Sequence, residues 1–274
     1  MTTNHQTPHD AGGDPSRPAV VFIHGAWATP AGWDEFRKPF EAAGFHTVAP
    51  AWPWLDRPVE ELRAGLDPRF GALSVTEIVD HYARIISAFD KPPLLVGHSF
   101  GGLVVQLLLA RGLGAGGIVL SPAPFAGLLP DPVSFESALL VSKGWRGWNQ
   151  TYDIARNVFD TRAANTLPLG RRNEIYESLV PSPGRIYGEA ATGFGTVLWP
   201  PARRAPLLLI AASEDRLVAP PLVKAAWQWQ RLAPAKTDYD VIEGACHLLI
   251  MGQKAEEVAS RTVAWSSDNG FAAR

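Results

Sequence analysis

The sequence is poor in cysteine, in excess charge of either sign and in long hydrophobic runs. Cys246 is the only cysteine among 274 residues, which excludes a disulfide framework and any Cys-rich zinc or iron–sulfur site. A formal net charge of −2 argues against a nucleic-acid-binding protein, since such proteins cluster Lys and Arg to neutralise phosphates. No apolar run approaches the roughly 18 residues that span a membrane. We therefore expect a globular protein whose partner is a small-molecule substrate, with no nucleic acid and no membrane.

Residues 1–18 are polar throughout, which bears on where the protein resides. The stretch lacks the apolar segment of roughly 7–15 residues that a signal peptide needs. It also has too few apolar side chains to bury, which is typical of a disordered tail. We therefore expect a disordered tail at 1–18 and a cytoplasmic protein.

Short apolar runs bounded by Gly, Pro or polar residues recur with room for helices between them. They lie at 19–24, 45–50, 94–98, 117–121, 207–212 and 237–243. The first five are nearly continuous, as is typical of parallel strands buried on both faces. Ser74 and Glu77 form a capping box that opens a helix, and 222–232 and 255–265 have amphipathic helical spacing. This alternation predicts an α/β fold with a mostly parallel sheet of about six strands flanked by helices.

The alternation of strands and helices breaks once, in a stretch rich in Pro, Gly and aromatic residues. Weak helical spacing occurs there at 133–141, 152–159 and 171–179. No strand signal is present, so we predict that 122–204 is a helical lid inserted before the penultimate strand. The core then consists of 19–121 and 205–274. Ligands of open α/β sheets bind at the carboxyl ends of the strands, where such a lid is expected to sit.

The strongest chemical signal is the motif GHSFG at 97–101, which fits G-x-S-x-G. It follows a predicted strand and leads into a predicted helix at 102–111, the setting that a nucleophile elbow requires. The two glycines leave room where side chains would collide with the strand and the helix. The motif therefore predicts Ser99 as a nucleophile, with a helix N-cap as the structural alternative.

A serine hydroxyl needs a base to take its proton and an acid to orient that base. His247 follows the last predicted strand, in a loop from which its imidazole can reach back to Ser99. The acid is expected between the serine and the histidine in the chain, just after a buried strand. Asp215 fits this place best, with Glu214 as the runner-up and Asp131 as a distant third. The predicted triad is Ser99, Asp215 and His247.

Acyl transfer also needs hydrogen-bond donors for the developing oxyanion. The amide of Phe100, directly after the nucleophile and at a helix N-terminus, supplies one. The second is expected from the turn after the first strand, where Gly25 lets the backbone approach and Ala26 N–H can face the site. We predict an oxyanion hole made by Ala26 and Phe100, and a site that needs neither metal nor cofactor.

Together these motifs resemble the α/β-hydrolase fold superfamily over residues 19–270. The match rests on His24-Gly25, on GHSFGG at 97–102, on SED at 213–215 and on GACH at 244–247. The stretch VFIHGAW at 21–27 is similar to the compact branch that contains plant methylesterases and hydroxynitrile lyases. Lyases of that branch have Thr where Gly25 stands and Lys after the catalytic His, where this chain has Leu248. The resemblance thus implies a serine esterase rather than a cyanohydrin-cleaving enzyme.

The aromatic residues indicate the class of substrate. Many of them fall within 122–204 or beside the motifs, and such side chains wall apolar pockets suited to aromatic or medium-length acyl groups. The predicted substrate-binding residues are Trp27, Phe125, Trp148, Tyr152 and Leu248. The predicted reaction is hydrolysis of a carboxylic ester or lactone of a small apolar or aromatic substrate through an acyl-enzyme.

Alternative functions use the same residues or the same fold. A thioesterase or a carbon–carbon bond hydrolase has the same triad, as does a cofactor-free perhydrolase. A non-catalytic ligand-binding protein keeps the fold without using the triad. Haloalkane dehalogenases and related epoxide hydrolases also resemble this chain, but they use Asp at the elbow, so Ser99 argues against both.

Overall fold

The six apolar runs form one parallel sheet in the computed structural model, which describes residues 16–199 and 204–271. The strands of the chain are β1 (Ala19–Ile23), β2 (His46–Val48), β3 (Leu94–His98), β4 (Gly116–Leu120), β5 (Thr151–Tyr152), β6 (Ser182–Pro183), β7 (Leu207–Ala212) and β8 (Thr237–Ile242). The six-stranded sheet has the order β2-β1-β3-β4-β7-β8, and every neighbouring pair is parallel. The predicted fold class is therefore confirmed. Most of the predicted disordered tail, 1–15, lies outside the described residues.

Burial explains why the central strands read as continuous apolar runs. All residues of β3, β4 and β7 are buried, because helices cover both faces of the sheet. Along β1, Val20 and Phe22 pack into the core on one face, and Val21 and Ile23 pack into the core on the other. The strand β8 is only half-buried and lies at one edge of the sheet.

Ten α-helices complete the described part of the chain. They are α1 (Lys38–Ala42), α2 (Val59–Ala64), α3 (Val75–Ser87), α4 (Phe100–Ala110), α5 (Pro132–Ser142), α6 (Arg156–Val158), α7 (Leu169–Glu177), α8 (Gly184–Thr192), α9 (Pro220–Gln230) and α10 (Ala255–Asp268). Short 3-10 turns lie at Pro30–Trp33 and Phe70–Ala72, and a π-helical turn lies at Phe159–Ala163. The predicted capping box is present: the Ser74 side chain accepts from Glu77 N, and the Glu77 side chain accepts from Ser74 N.

The segment at 122–204, here called the inserted segment, differs in part from its predicted secondary structure. It carries α5 to α8, but Thr151 and Tyr152 form β5 and pair with β6 in an antiparallel two-stranded sheet. Helix α6 then begins only at Arg156, so the helical spacing at 152–159 was wrong for its first residues. Two-residue strands are too short to leave an alternating pattern in the sequence, which is why no strand signal appears there.

The strand order determines where a ligand site can form. The chain adds β2 to one side of β1 and then returns to the other side with β3, so the topology reverses between β1 and β3. Open α/β sheets bind ligands at the carboxyl ends of strands beside such a reversal. The predicted oxyanion turn follows β1, and the predicted nucleophile follows β3.

Candidate active site

Ser99 lies at the sharp turn between β3 and α4 with a strained backbone. Its φ of 54° and ψ of −119° lie in a backbone region that residues other than glycine rarely adopt. The flanking glycines are sterically required: a Cβ at Gly97 would stand 2.3 Å from Gly101 O, and a Cβ at Gly101 would stand 2.0 Å from Ile23 O. The strand and the helix therefore pack closely enough to hold the serine in this conformation at the end of the sheet.

Asp215 and His247 form a buried hydrogen-bonded pair. Nδ1 of His247 lies 2.8 Å from Oδ2 of Asp215, and the two residues are 4% and 2% exposed. The other carboxylate oxygen accepts from Leu217 N at 2.8 Å and Val218 N at 2.9 Å. Since an ionised carboxylate only accepts, His247 carries its proton on Nδ1, and Nε2 is left to take a proton from a nucleophile.

The two alternative acids occupy other environments. Glu214 is exposed, and its main-chain carbonyl accepts a hydrogen bond from the Asn165 side chain. Asp131 caps the N-terminus of α5, where its carboxylate accepts from Val133 N and Ser134 N. Neither carboxylate pairs with His247 among the described residues, whereas that of Asp215 does.

The turn after β1 lies directly against the elbow. A Cβ at Gly25 would stand 3.0 Å from the Ser99 Cβ and 3.5 Å from Phe100 N, so only glycine lets the two turns approach this closely. The ring of His24 accepts from Trp52 N at Nε2 and therefore donates from Nδ1 to Gly25 O at 2.9 Å. This bond fixes the peptide plane between Gly25 and Ala26, and with it the direction of Ala26 N–H.

The amides of Ala26 and Phe100 are available to a ligand. Neither donates in any main-chain hydrogen bond found within 16–199 and 204–271. Phe100 is the first residue of α4, where an N–H has no partner inside the helix and the helix dipole favours negative charge. Both residues line the same cavity as Ser99, which is the arrangement that an oxyanion hole needs.

A cavity of about 460 Å³, here called the large cavity, opens at Ser99 and has mainly apolar walls. Of the predicted substrate-binding residues, Trp27, Phe125 and Tyr152 line it. Trp27 Nε1 donates to Tyr152 O at 3.1 Å, which ties the turn after β1 to the inserted segment. Tyr187, another aromatic residue of the inserted segment, also lines it, and its hydroxyl donates to Ala138 O at 2.6 Å.

A second cavity of about 40 Å³, here called the small cavity, contains both Ser99 and His247. Leu248 lines this cavity but not the large one. A substrate contact of Leu248, as predicted, would therefore lie beside the imidazole of His247. Trp148 lines neither cavity. Its indole is 42% exposed and packs against the helix α8 at Gly188 and edge-on to Trp145. The ring of Trp148 therefore lies away from both cavities at Ser99, and its role in substrate binding stays a prediction.

His98 supports the loop that carries His247. Its Nε2 donates to the main-chain oxygen of His247 at 2.7 Å, and the two rings lie 4.9 Å apart. Burial, together with the neighbouring His247, lowers the pKa of His98 to about 3. His98 is thus neutral at physiological pH and acts as a fixed donor, a role that the motif G-x-S-x-G did not reveal.

The chain also matches a known protein family in sequence. The sequence profile of the alpha/beta hydrolase family matches residues 20–261, which include the elbow, the Asp215–His247 pair and, apart from Ala19, all six strands of the parallel sheet. The chain belongs to the alpha/beta hydrolase family. No curated protein matches this hydrolase significantly. None of the helices in the described part of the hydrolase is both long and apolar enough to cross a membrane.

Solved structures with the same fold include several esterases and lipases. A monoacylglycerol lipase from Paleococcus ferrophilus is 22% identical with a TM-score of 0.70, and the match covers 94% of this chain and 97% of that one. An extracellular alpha/beta-hydrolase from a Paenibacillus species is 19% identical with a TM-score of 0.65, covering 90% and 98%. A methylesterase from Arabidopsis is 16% identical with a TM-score of 0.63, covering 91% and 99%. At these identities the likeness concerns the fold, and family membership itself supports hydrolytic activity.

Proposed function

We propose that this hydrolase cleaves carboxylic esters with an apolar acyl group, using Ser99 as nucleophile, His247 as base and Asp215 as the orienting acid. The observation that carries the proposal is the buried Asp215–His247 hydrogen bond, whose imidazole lines the same cavity as Ser99. A serine in a strained turn and a histidine held by a carboxylate are the two parts that nucleophilic acyl transfer requires.

In the acylation half, Ser99 Oγ forms a bond to the carbonyl carbon while His247 Nε2 takes the hydroxyl proton. The carbonyl oxygen becomes an oxyanion and accepts hydrogen bonds from the amides of Ala26 and Phe100. The tetrahedral intermediate then collapses, the carbon–oxygen bond to the alcohol breaks, and Nε2 returns the proton to the departing oxygen. Donors of this type typically contribute about 10²–10³ each in rate.

In the deacylation half, water replaces the alcohol beside His247. The imidazole takes one proton from water as its oxygen attacks the acyl carbon, and the same oxyanion donors stabilise the second intermediate. Its collapse releases the carboxylic acid and returns the proton to Ser99 Oγ. Asp215 stays ionised throughout and stabilises the transient imidazolium.

The acyl preference follows from the walls of the large cavity. Its volume of about 460 Å³ falls within the range of sites for drug-sized ligands, and Phe125, Tyr152 and Tyr187 give it aromatic surfaces. Residues of the inserted segment supply much of this wall, so we assign 122–204 the role of a cap that selects the acyl group. Water exclusion by such a cap strengthens the electrostatic interactions at Ser99.

The test is turnover of aryl and alkyl esters, lactones and thioesters by the wild type and by Ser99→Ala. We expect ester hydrolysis that falls to background in Ser99→Ala, together with covalent labelling of the wild type alone by a fluorophosphonate. Equal turnover in both proteins would reject the role of Ser99. A marked preference for thioesters would move the assignment to a thioesterase, and labelling without turnover of any substrate would reject the ester function.

A further inference from the structure

The large cavity contains hydroxyl groups but, within 16–199 and 204–271, no charged side chain lines it. Apart from the indole of Trp27, its polar side chains are the hydroxyls of Ser99, Ser134, Tyr152, Tyr187 and Thr192. Apolar pockets of this kind use a few placed polar groups to orient their ligand. A hydroxyl whose proton has no acceptor in the protein is therefore the group that a ligand can use.

Most of these hydroxyls already have a role in the protein. Those of Tyr187 and Thr192 each donate to a main-chain carbonyl of the inserted segment, at 2.6 Å and 2.7 Å. The Oγ of Ser134 accepts from a main-chain amide just before α9 at 3.0 Å. Ser99 is the proposed nucleophile, whose proton passes to His247. Tyr152 is the remaining hydroxyl of the cavity.

The hydroxyl of Tyr152 has no hydrogen-bond partner in the part of the chain that the structure describes. The residue is only 3% exposed, yet the hydroxyl oxygen is not fully enclosed, so it opens onto the cavity that the residue lines. Buried tyrosine hydroxyls usually have a partner. Burial and the neighbouring Tyr187 raise the pKa of Tyr152 above its ordinary value, so the hydroxyl keeps its proton and can donate it to a ligand.

The ring that carries this hydroxyl is held in place from two sides. The ring of Trp27 meets it edge-on at 5.5 Å, and the ring of Tyr187 lies 5.8 Å away at a steep angle. Its main-chain oxygen accepts from Trp27 Nε1 at 3.1 Å, and Tyr152 pairs with Ser182 between β5 and β6. The donor is thus positioned before a ligand arrives, and little conformational freedom is lost on binding.

We propose that Tyr152 donates a hydrogen bond to an uncharged oxygen of the substrate's acyl group, so that the enzyme prefers oxo-acyl esters to plain alkyl esters. This inference rests on the proposed ester hydrolysis. A neutral acceptor is expected, because no charged side chain in the described lining compensates a second charge on the substrate. A plain alkyl chain leaves the donor unpaired, and an unpaired buried donor disfavours the complex.

The experiment compares methyl octanoate with its 4-oxo, 5-oxo and 6-oxo analogues in the wild type and in Tyr152→Phe. The quantity measured is the ratio of kcat/KM for each oxo ester to kcat/KM for octanoate. Comparison of this ratio between the two proteins cancels differences in the intrinsic reactivity of the esters. We expect the ratio for the best oxo ester to fall about three- to tenfold in Tyr152→Phe, which is the size of one neutral hydrogen bond.

Tyr187→Phe is the matched control, because it removes a hydroxyl of the same cavity that already donates to Ala138 O. Its ratios should stay within about twofold of the wild type. Ser134→Ala removes the hydroxyl that has only an accepted bond and should also keep the ratios. A fall in either of these variants but not in Tyr152→Phe would show that the acceptor binds elsewhere and would overturn the proposal.

The outcomes separate this inference from the proposed function. Hydrolysis of octanoate with the same ratios in the wild type and in a folded Tyr152→Phe overturns the inference and leaves the function standing. Absence of ester hydrolysis in the wild type overturns both. Tyr152→Phe keeps the ring, and circular dichroism checks its fold. Should it unfold, the wild type decides: values of kcat/KM that follow the rates of the four esters with hydroxide overturn the preference.

Discussion

Asp215 and Glu214 are adjacent carboxylates with opposite surroundings, which makes them a matched pair of substitutions. Asp215 is buried, and its carboxylate accepts from His247 and from two main-chain amides, whereas Glu214 is exposed. In Asp215→Asn, the amide can donate to Nδ1 and hold His247 in the wrong tautomer. A similar change in a serine protease lowers kcat about 10⁴-fold.

We therefore expect Asp215→Asn to lower kcat by about 10³–10⁴ and to affect KM much less. Glu214→Gln should change kcat less than about twofold, because its side chain does not pair with His247. Steady-state kinetics on one ester in both variants makes the comparison. Comparable losses in the two variants would reject Asp215 as the orienting acid.

His98 gives the protein a specific sensitivity to acid. Its pKa of about 3 in the folded protein lies below the ordinary value of 6.5, since burial and His247 oppose its protonation. Above pH 6.5 the residue is neutral in both states and adds no pH dependence. Between pH 6.5 and 3 the unfolded chain binds the proton and the folded protein does not, so stability falls by up to about 1 kcal/mol per pH unit.

Replacing His98 with Gln removes that dependence. The variant is expected to be less stable at pH 7, because the ring packing against His247 is lost. Its free energy of unfolding should nevertheless fall less steeply than that of the wild type between pH 6.5 and 4. Urea titrations at intervals of half a pH unit measure both slopes. Equal slopes in the two proteins would show that the pKa of His98 is not lowered in the folded protein.

At the scale of elements, the turn after β1 packs against the elbow after β3, and we expect this contact to align the proposed oxyanion donors. In Gly25→Ala the new Cβ would stand 3.0 Å from both His98 O and the Ser99 Cβ, so one of the two turns must shift by a few tenths of an ångström. Small misplacements of catalytic groups reduce rates strongly. We expect Gly25→Ala to lower kcat by about 10²-fold with a smaller change in Tm.

Gly65→Ala is the matched control for this substitution. Gly65 follows α2 with an extended φ of 178°, and a Cβ there meets nothing within 4 Å. Its kcat and Tm should equal those of the wild type to within experimental error. If Gly25→Ala also kept full kcat, the turn after β1 would not form part of the oxyanion hole.

The strand and helix patterns explain why the core of the site could be predicted from the sequence. Ser99, Asp215 and His247 each follow a strand of one parallel sheet, so their meeting at one end follows from topology once the strands are identified. The side chains of the inserted segment follow no such rule. Trp148 and Tyr187 are both aromatic residues of that segment, yet only Tyr187 reaches the large cavity.

The difference between these two aromatics arises from tertiary packing. Tyr187 lies on α8, and its hydroxyl reaches Ala138 O, which directs the ring across the cavity. Trp148 lies in a loop just before β5, and its ring packs against α8 at Gly188, where there is no side chain. The weak helical spacing in 122–204 could not indicate which face each helix turns toward Ser99. The division of the site into large and small cavities likewise depends on several segments at once.

At the scale of the whole molecule, Glu189 joins the inserted segment to the core. It lies on α8 and is 7% exposed, and its Oε2 accepts from Val75 N, the first amide of α3, at 2.7 Å. Its Oε1 accepts from Arg185 Nε at 2.9 Å, and the same guanidinium donates to Ala72 O. One buried carboxylate thus satisfies a helix N-terminus of the core and orients an arginine that bonds to the core again.

Removing this carboxylate should loosen the cap from the core and thereby weaken both stability and acyl selection. Glu189→Ala leaves a buried amide unpaired, so we expect a loss of about 1–3 kcal/mol in the free energy of unfolding. Glu174→Ala removes an exposed carboxylate paired with Arg171 on α7 and should cost less than about 1 kcal/mol. Chemical denaturation measures both, and kcat/KM for methyl acetate against methyl octanoate reports on the cap. Because α8 carries Tyr187, the preference for octanoate over acetate should decline in Glu189→Ala and persist in Glu174→Ala. Equal preference in the two variants would show that the hydrogen bonds of Glu189 do not position the cap.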